Sequence, residues 1–127
     1  NNVYSMENFE LFRENNPFTC CTTDIKETLD ELNISLLLDV GHLDVSCQTE
    51  KQNKFKIIKS LEDKISGYHL SANDTFRDRN DAFNSNAWFI KQNYIELGKE
   101  ITVEVYDEFK VLRSCINQID RYVSRKT

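Results

Sequence analysis

A chain of 127 residues and 14.9 kDa is sized for one domain, long enough to bury about two-thirds of its unfolded surface. With 16 basic against 21 acidic residues the formal charge is -5, which argues against a nucleic-acid backbone or an anionic membrane as partner. At 39% hydrophobic and 29% charged, with every apolar run far shorter than a membrane-spanning helix, the composition predicts a soluble protein.

In chain order, one pattern repeats four times. Val3 to Phe9 is a short apolar run predicted as a strand, and Asp24 to Leu32 follows as a helix. Ile25, Leu29 and Leu32 share one face of that helix, with Thr22 or Thr23 as N-cap. Ser35 to Val40 is a continuous apolar run of the kind a strand buried on both faces carries. Glu50 to Lys64 is the next helix, with Phe55, Ile58, Leu61 and Ile65 as its stripe. Ile65 to Leu70 is a third strand, and Asn86 to Leu97 a third helix, capped by Ser85 or Asn86 and closed by Gly98. Ile101 to Tyr106 is β-branched and aromatic, hence a fourth strand. Glu108 to Ser124 closes the chain as a helix, with Val111, Leu112, Cys115, Ile119 and Val123 inward.

No linker or charge block interrupts this order, and the only proline is Pro17. Trp88 and Phe89, at helical spacing with Ile90 and Tyr94, read as core; Asp74, Asp78 and Asp81 read as a solvated acidic loop. Cys20, Cys21, Cys47 and Cys115 have no CxxC spacing and read as free thiols of a cytoplasmic protein, packed as small hydrophobes. The opening Asn1-Asn2-Val3, without Met or a signal-type apolar run, predicts a piece of a longer protein.

Alternating strands and helices predict βαβ crossovers and a parallel sheet, whose chemistry lies beyond the carboxyl ends of the strands. The polar residues at those four ends are Glu7, Asp39, His69 and Glu104, each roughly 30 residues after the last, the length of one βα unit. Such spacing places four metal ligands in one ring. Carboxylates inside apolar strands are costly unless paired or metal-bound. Three carboxylates and one imidazole suit Mn²⁺, Mg²⁺ or Co²⁺ better than a structural zinc.

These residues carry a resemblance. Leu38-Asp39-Val40-Gly41-His42 resembles the LDxGH element of the xylose-isomerase-like TIM barrels, the superfamily of sugar phosphate isomerases, epimerases and endonuclease IV. Met6-Glu7-Asn8-Phe9 is similar to that family's EN strand end. Tyr68-His69-Leu70-Ser71 with Asn73-Asp74-Thr75-Phe76-Arg77-Asp78 resembles its HLHDNDGxRD stretch, and Thr102-Val103-Glu104-Val105 its closing strand. The stretch from Arg79 to Asn86 departs from the family in lacking a glycine-rich loop. The resemblance covers nearly the whole chain and implies four βα units, the second half of a (β/α)8 barrel formed by residues 1–127.

It also implies a function: a metal-dependent sugar or sugar-phosphate isomerase or epimerase, working by proton transfer through an enediolate. Glu7, Asp39, His69 and Glu104 would hold the divalent ion, Glu7 and Glu104 would exchange the carbon-bound proton, and His42 and Arg77 would bind substrate. A non-catalytic scaffold barrel is the alternative reading. An endonuclease IV-like hydrolase ranks third, because a zinc cluster needs more histidines than His42 and His69. Half a barrel exposes its inner face, so the missing N-terminal half or a second copy of the chain is the expected partner, covering Val3, Leu37 and Val103.

Overall fold

The structure, a computed structural model, describes residues 23–127. The first expected strand, with Val3 and Glu7, lies outside the described residues, as do Cys20 and Cys21. The rest forms α1 (Thr23–Leu32), β1 (Leu36–Asp39), α2 (Val40–Glu50), α3 (Lys54–Leu61), β2 (Ile65–Leu70), α4 (Trp88–Lys91), β3 (Glu100–Val103) and α5 (Phe109–Lys126). The three strands pair in parallel in the order β1-β2-β3, giving a mixed α/β fold.

Register decides what the sheet presents. Leu38, Tyr68 and Ile101 lie across from one another, as do Asp39, His69 and Thr102 one step on. Because side chains alternate along a strand, the first row points to one face and the second to the other. Leu38, Tyr68 and Leu70 are buried in a core with Ile25 and Leu29 of α1, Leu43 and Cys47 of α2, Ile57, Ile58 and Leu61 of α3, and Cys115, Ile119 and Tyr122 of α5. The helices therefore cover one face. On the other, Leu37 is 47% exposed. Gly67 lies between Leu37 and Glu100 on that row, and a Cβ there would stand 3.1 Å from the Glu100 carbonyl oxygen.

Several expected boundaries are corrected. The helix expected over Glu50–Lys64 is the shorter α3, Lys54–Leu61, and an unexpected helix, α2, precedes it, starting at Val40 directly from β1. Its residues Val40, Gly41, Leu43, Asp44, Val45, Ser46 and Cys47 are all buried, so it has no polar face to give a one-sided stripe. Lys51 in the left-handed conformation ends α2, and the Asn53 side chain accepts from the Phe55 and Lys56 amides to start α3. The helix expected over Asn86–Leu97 is the single turn α4, because Asn93 takes φ 60° and turns the chain. Val103, expected on the open face, packs against the helix-side core, since it shares Ile101's side of β3. Leu32, expected on the buried face of α1, is 63% exposed beyond the edge of the core.

The aromatic residues confirm the core reading. Phe89 is 1% exposed, and Trp88 packs edge-on against Phe55 and Phe89. The Trp88 indole donates to Asp44 Oδ2 at 2.7 Å, and the Lys54 ammonium pairs with Asp44 Oδ1 while sitting 4.3 Å over the Trp88 ring. No helix among the described residues is long and apolar enough to cross a membrane.

Candidate metal centre

Asp39 ends β1 and is the N-cap of α2: its extended backbone lets Oδ1 accept from the His42 amide at 2.9 Å. Starting the helix at the last strand residue keeps the Asp39 carboxylate at the sheet's carboxyl end. His69 is its cross-strand partner on β2. Glu104 is two residues past Thr102, which pairs with His69, so alternation returns it to the same side. The Glu104 amide donates to the Leu70 carbonyl at 2.9 Å, which extends the ladder one residue beyond β3.

These three side chains converge. His69 Nδ1 is 3.1 Å from Glu104 Oε2 and 3.9 Å from Asp39 Oδ2, and one ligand atom from each of the three residues lies within 4.8 Å of the others. For octahedral binding at about 2.1 Å, neighbouring ligand atoms stand about 3.0 Å apart; the His69–Glu104 pair has that spacing, and Asp39 Oδ2 stands farther out, 3.9 Å from His69 Nδ1. The residues present therefore fit a divalent ion. Asp39 is 15% exposed, Glu104 28% and His69 30%, which leaves the cluster open to solvent on the uncovered face.

Beside this triad the structure adds one further carboxylate, Asp78, linked to it through His42. His42 lies between Asp39 and Asp78, with Nδ1 3.4 Å from Asp39 Oδ2 and Nε2 2.9 Å from Asp78 Oδ2. Burial pushes the Asp39 carboxyl above its usual range; the positive His42 works against this, and the negative Glu104 and Asp78 add to it. For His42, burial acts to lower the pKa, but the Asp78 hydrogen bond and the charges of Asp39, Asp78 and Glu104 outweigh it and raise the ring to about 9. An imidazolium between carboxylates is the result.

The loop after β2 is held close by small groups. A Cβ on Gly41 would stand 2.8 Å from Ser71 Oγ and 3.3 Å from Asp39 Oδ1, so any side chain there would push these two groups out of place. Asn73 then donates to the Gly41 carbonyl at 2.9 Å. Ala72 and Asp81 form an antiparallel bridge that closes the loop's base.

Of the expected site residues, Asp39, His69 and Glu104 are brought together, with His42 beside Asp39. Glu7 lies outside the described residues. Arg77 is 53% exposed on the loop, its Nε 3.8 Å from Asp74 Oδ2. Three contributors were not singled out from sequence: Asp78, only 8% exposed; Asn80, whose side chain donates to the Glu104 carbonyl at 3.2 Å; and Tyr106, whose hydroxyl donates to Glu104 Oε1 at 2.8 Å. For Tyr106 a signal existed, since position i+2 on an extended segment returns to the same side. Asp78 was hidden among the solvated carboxylates of its loop. Comparison of the chain with family models, curated proteins and solved structures finds no match.

Proposed function

We propose that this chain forms the metal-binding half of a (β/α)8-type sugar or sugar-phosphate isomerase or epimerase, in the manner of the xylose-isomerase-like barrels. The observation that carries it is the convergence of Asp39, His69 and Glu104 from three consecutive parallel strands at the carboxyl end of the sheet. The open face beside them, with exposed Leu37, suits completion by the remaining strands of a barrel.

Two carboxylates and one imidazole favour Mn²⁺, Mg²⁺ or Co²⁺ over structural zinc. A divalent ion there supplies Lewis-acid polarisation of a carbonyl and its neighbouring hydroxyl. Asp39 and His69 hold position, both anchored in the sheet. Glu104 presents Oε2 to the centre and is the candidate to take a carbon-bound proton, with Glu7 as the candidate on the opposite side of the substrate. His42, facing Asp39 and Asp78 with its two nitrogens, balances carboxylate charge, and a substrate hydroxyl reaches it only by displacing one of them.

The test is turnover of ketoses, aldoses and their phosphates by the full-length protein with Mn²⁺. Glu104→Gln and Glu7→Gln should each lower the rate by a factor on the order of 10² to 10⁴. Unchanged turnover in both variants refutes the two-carboxylate mechanism. A wild type that turns over none and binds no metal favours the scaffold reading.

A further inference from the structure

The two carboxylates of the triad are each held by one oxygen. Asp39 Oδ1 accepts from the His42 amide at 2.9 Å, and Glu104 Oε1 accepts from the Tyr106 hydroxyl at 2.8 Å. The other oxygens, Asp39 Oδ2 and Glu104 Oε2, both face His69 Nδ1, and Asp39 Oδ2 also lies 3.4 Å from His42 Nδ1. For Asp39 the holding group is backbone and comes with the helix cap. For Glu104 it is a side chain that could have been anything.

Nothing in the core requires that side chain. Tyr106 is 51% exposed, while its neighbour Val105 is 7% exposed and pins the segment. The segment is fixed a second time through Asn80, which is buried in the left-handed conformation at φ 52°. The Asn80 side chain donates to the Glu104 carbonyl, and its carbonyl accepts from the Tyr106 amide at 3.1 Å. One loop residue thus fixes the backbone on both sides of Val105, at Glu104 and at Tyr106.

We propose that Tyr106 is a positioning residue of the metal centre, confining Glu104 to ligation through Oε2 alone. This rests on the metal-binding reading above. A carboxylate with both oxygens free rotates and binds through either or both. Tied at Oε1, Glu104 offers one donor atom in one orientation, and each ligand that binds through one atom leaves a coordination position for a substrate oxygen. Tyr106 acts on the centre through the Glu104 carboxylate.

The experiment is Tyr106→Phe in the full chain, read by Mn²⁺ titration calorimetry, by the visible spectrum of the Co²⁺-loaded protein, and by melting in EDTA. Mn²⁺ affinity should fall roughly 10-fold to 100-fold, the range typical of outer partners of a metal ligand. The Co²⁺ bands should shift as Glu104 changes its mode of ligation, with melting in EDTA unchanged. In a Glu104→Gln background, adding Tyr106→Phe should cause no further loss of affinity. Wild-type affinity and spectrum in Tyr106→Phe overturn the proposal, as does a fall in melting temperature that accounts for the loss. A wild type that binds neither ion overturns the metal reading itself, an outcome distinct from an idle Tyr106.

Discussion

Asp39 has two separable tasks, and a pair of substitutions pulls them apart. Its Oδ1 caps α2 through the His42 amide, and its Oδ2 faces His69 in the triad. Asparagine caps as well as aspartate, whereas loss of the cap to alanine costs about 1 kcal/mol. Asp39→Ala should therefore melt about 4 °C below Asp39→Asn in EDTA, given the usual entropy of unfolding for a domain near this size. Against the wild type, the sign for Asp39→Asn is set by charge. A carboxyl held above its usual range by burial is one whose charge the fold disfavours, so neutralising it removes that burden at pH 7, offset by the lost attraction to His42. Asp39→Asn should melt at or above the wild type in EDTA. Both variants should lose Mn²⁺ affinity by more than the roughly 10-fold to 100-fold carried by outer partners, since a ligand charge is gone. Circular-dichroism melts and calorimetric Mn²⁺ titration decide it. If Asp39→Asn melts as low as Asp39→Ala, the cap reasoning is wrong; if it binds Mn²⁺ like the wild type, Asp39 is not a ligand.

Two further outcomes follow from the helix layer. Lys54→Met leaves the Asp44 carboxylate, 7% exposed, with the Trp88 indole as its one side-chain donor among the described residues, and should destabilise by about 3 kcal/mol in urea unfolding, the low end of the cost of breaking a buried pair from one side. Adding Asp44→Asn should recover much of that loss, and no recovery would show that Lys54 acts through packing alone. Cys47 is 4% exposed and its thiol is pushed up to about 11, chiefly by burial and further by Asp44. The reactive thiolate is thus scarce at pH 8, so iodoacetamide should label Cys47 in native protein far more slowly than in urea, and rates should rise as pH approaches 11. Equal labelling rates in both states would contradict the burial.

The strands were legible because Leu36 to Leu38 form a continuous apolar run and Ile65 to Leu70 sets Ile65, Tyr68 and Leu70 among Ser66, Gly67 and His69 in a β-branched and aromatic pattern. The candidate ligands at their ends followed from the same pattern, since a lone carboxylate or imidazole at the end of an apolar strand stands out. Helix α2 did not stand out, because buried on nearly all sides it resembles the strand before it. The opposite error occurred at 86–97, where Trp88, Phe89, Ile90 and Tyr94 have helical spacing yet surround a turn made by Asn93. Aromatic residues can cluster from loop and helix alike, so spacing alone overextends. Asp78 and Asn80 act through the fold of a long loop, and their roles depend on which residues that loop returns to.

The indole that donates to Asp44 is the chain's single tryptophan. Its emission is therefore a report from one position, wedged among Phe55, Phe89 and Tyr94 with an ammonium over the ring. That position belongs to the layer of helices, on the far side of the sheet from the triad. Intrinsic fluorescence will follow docking of α3 and α4 onto the core during refolding and stay silent when an ion binds at the open face. A change in emission on adding Mn²⁺ would mean that ligation shifts α2, which begins at Asp39 and carries Asp44 five residues later, making the helix a mechanical link between the two sides.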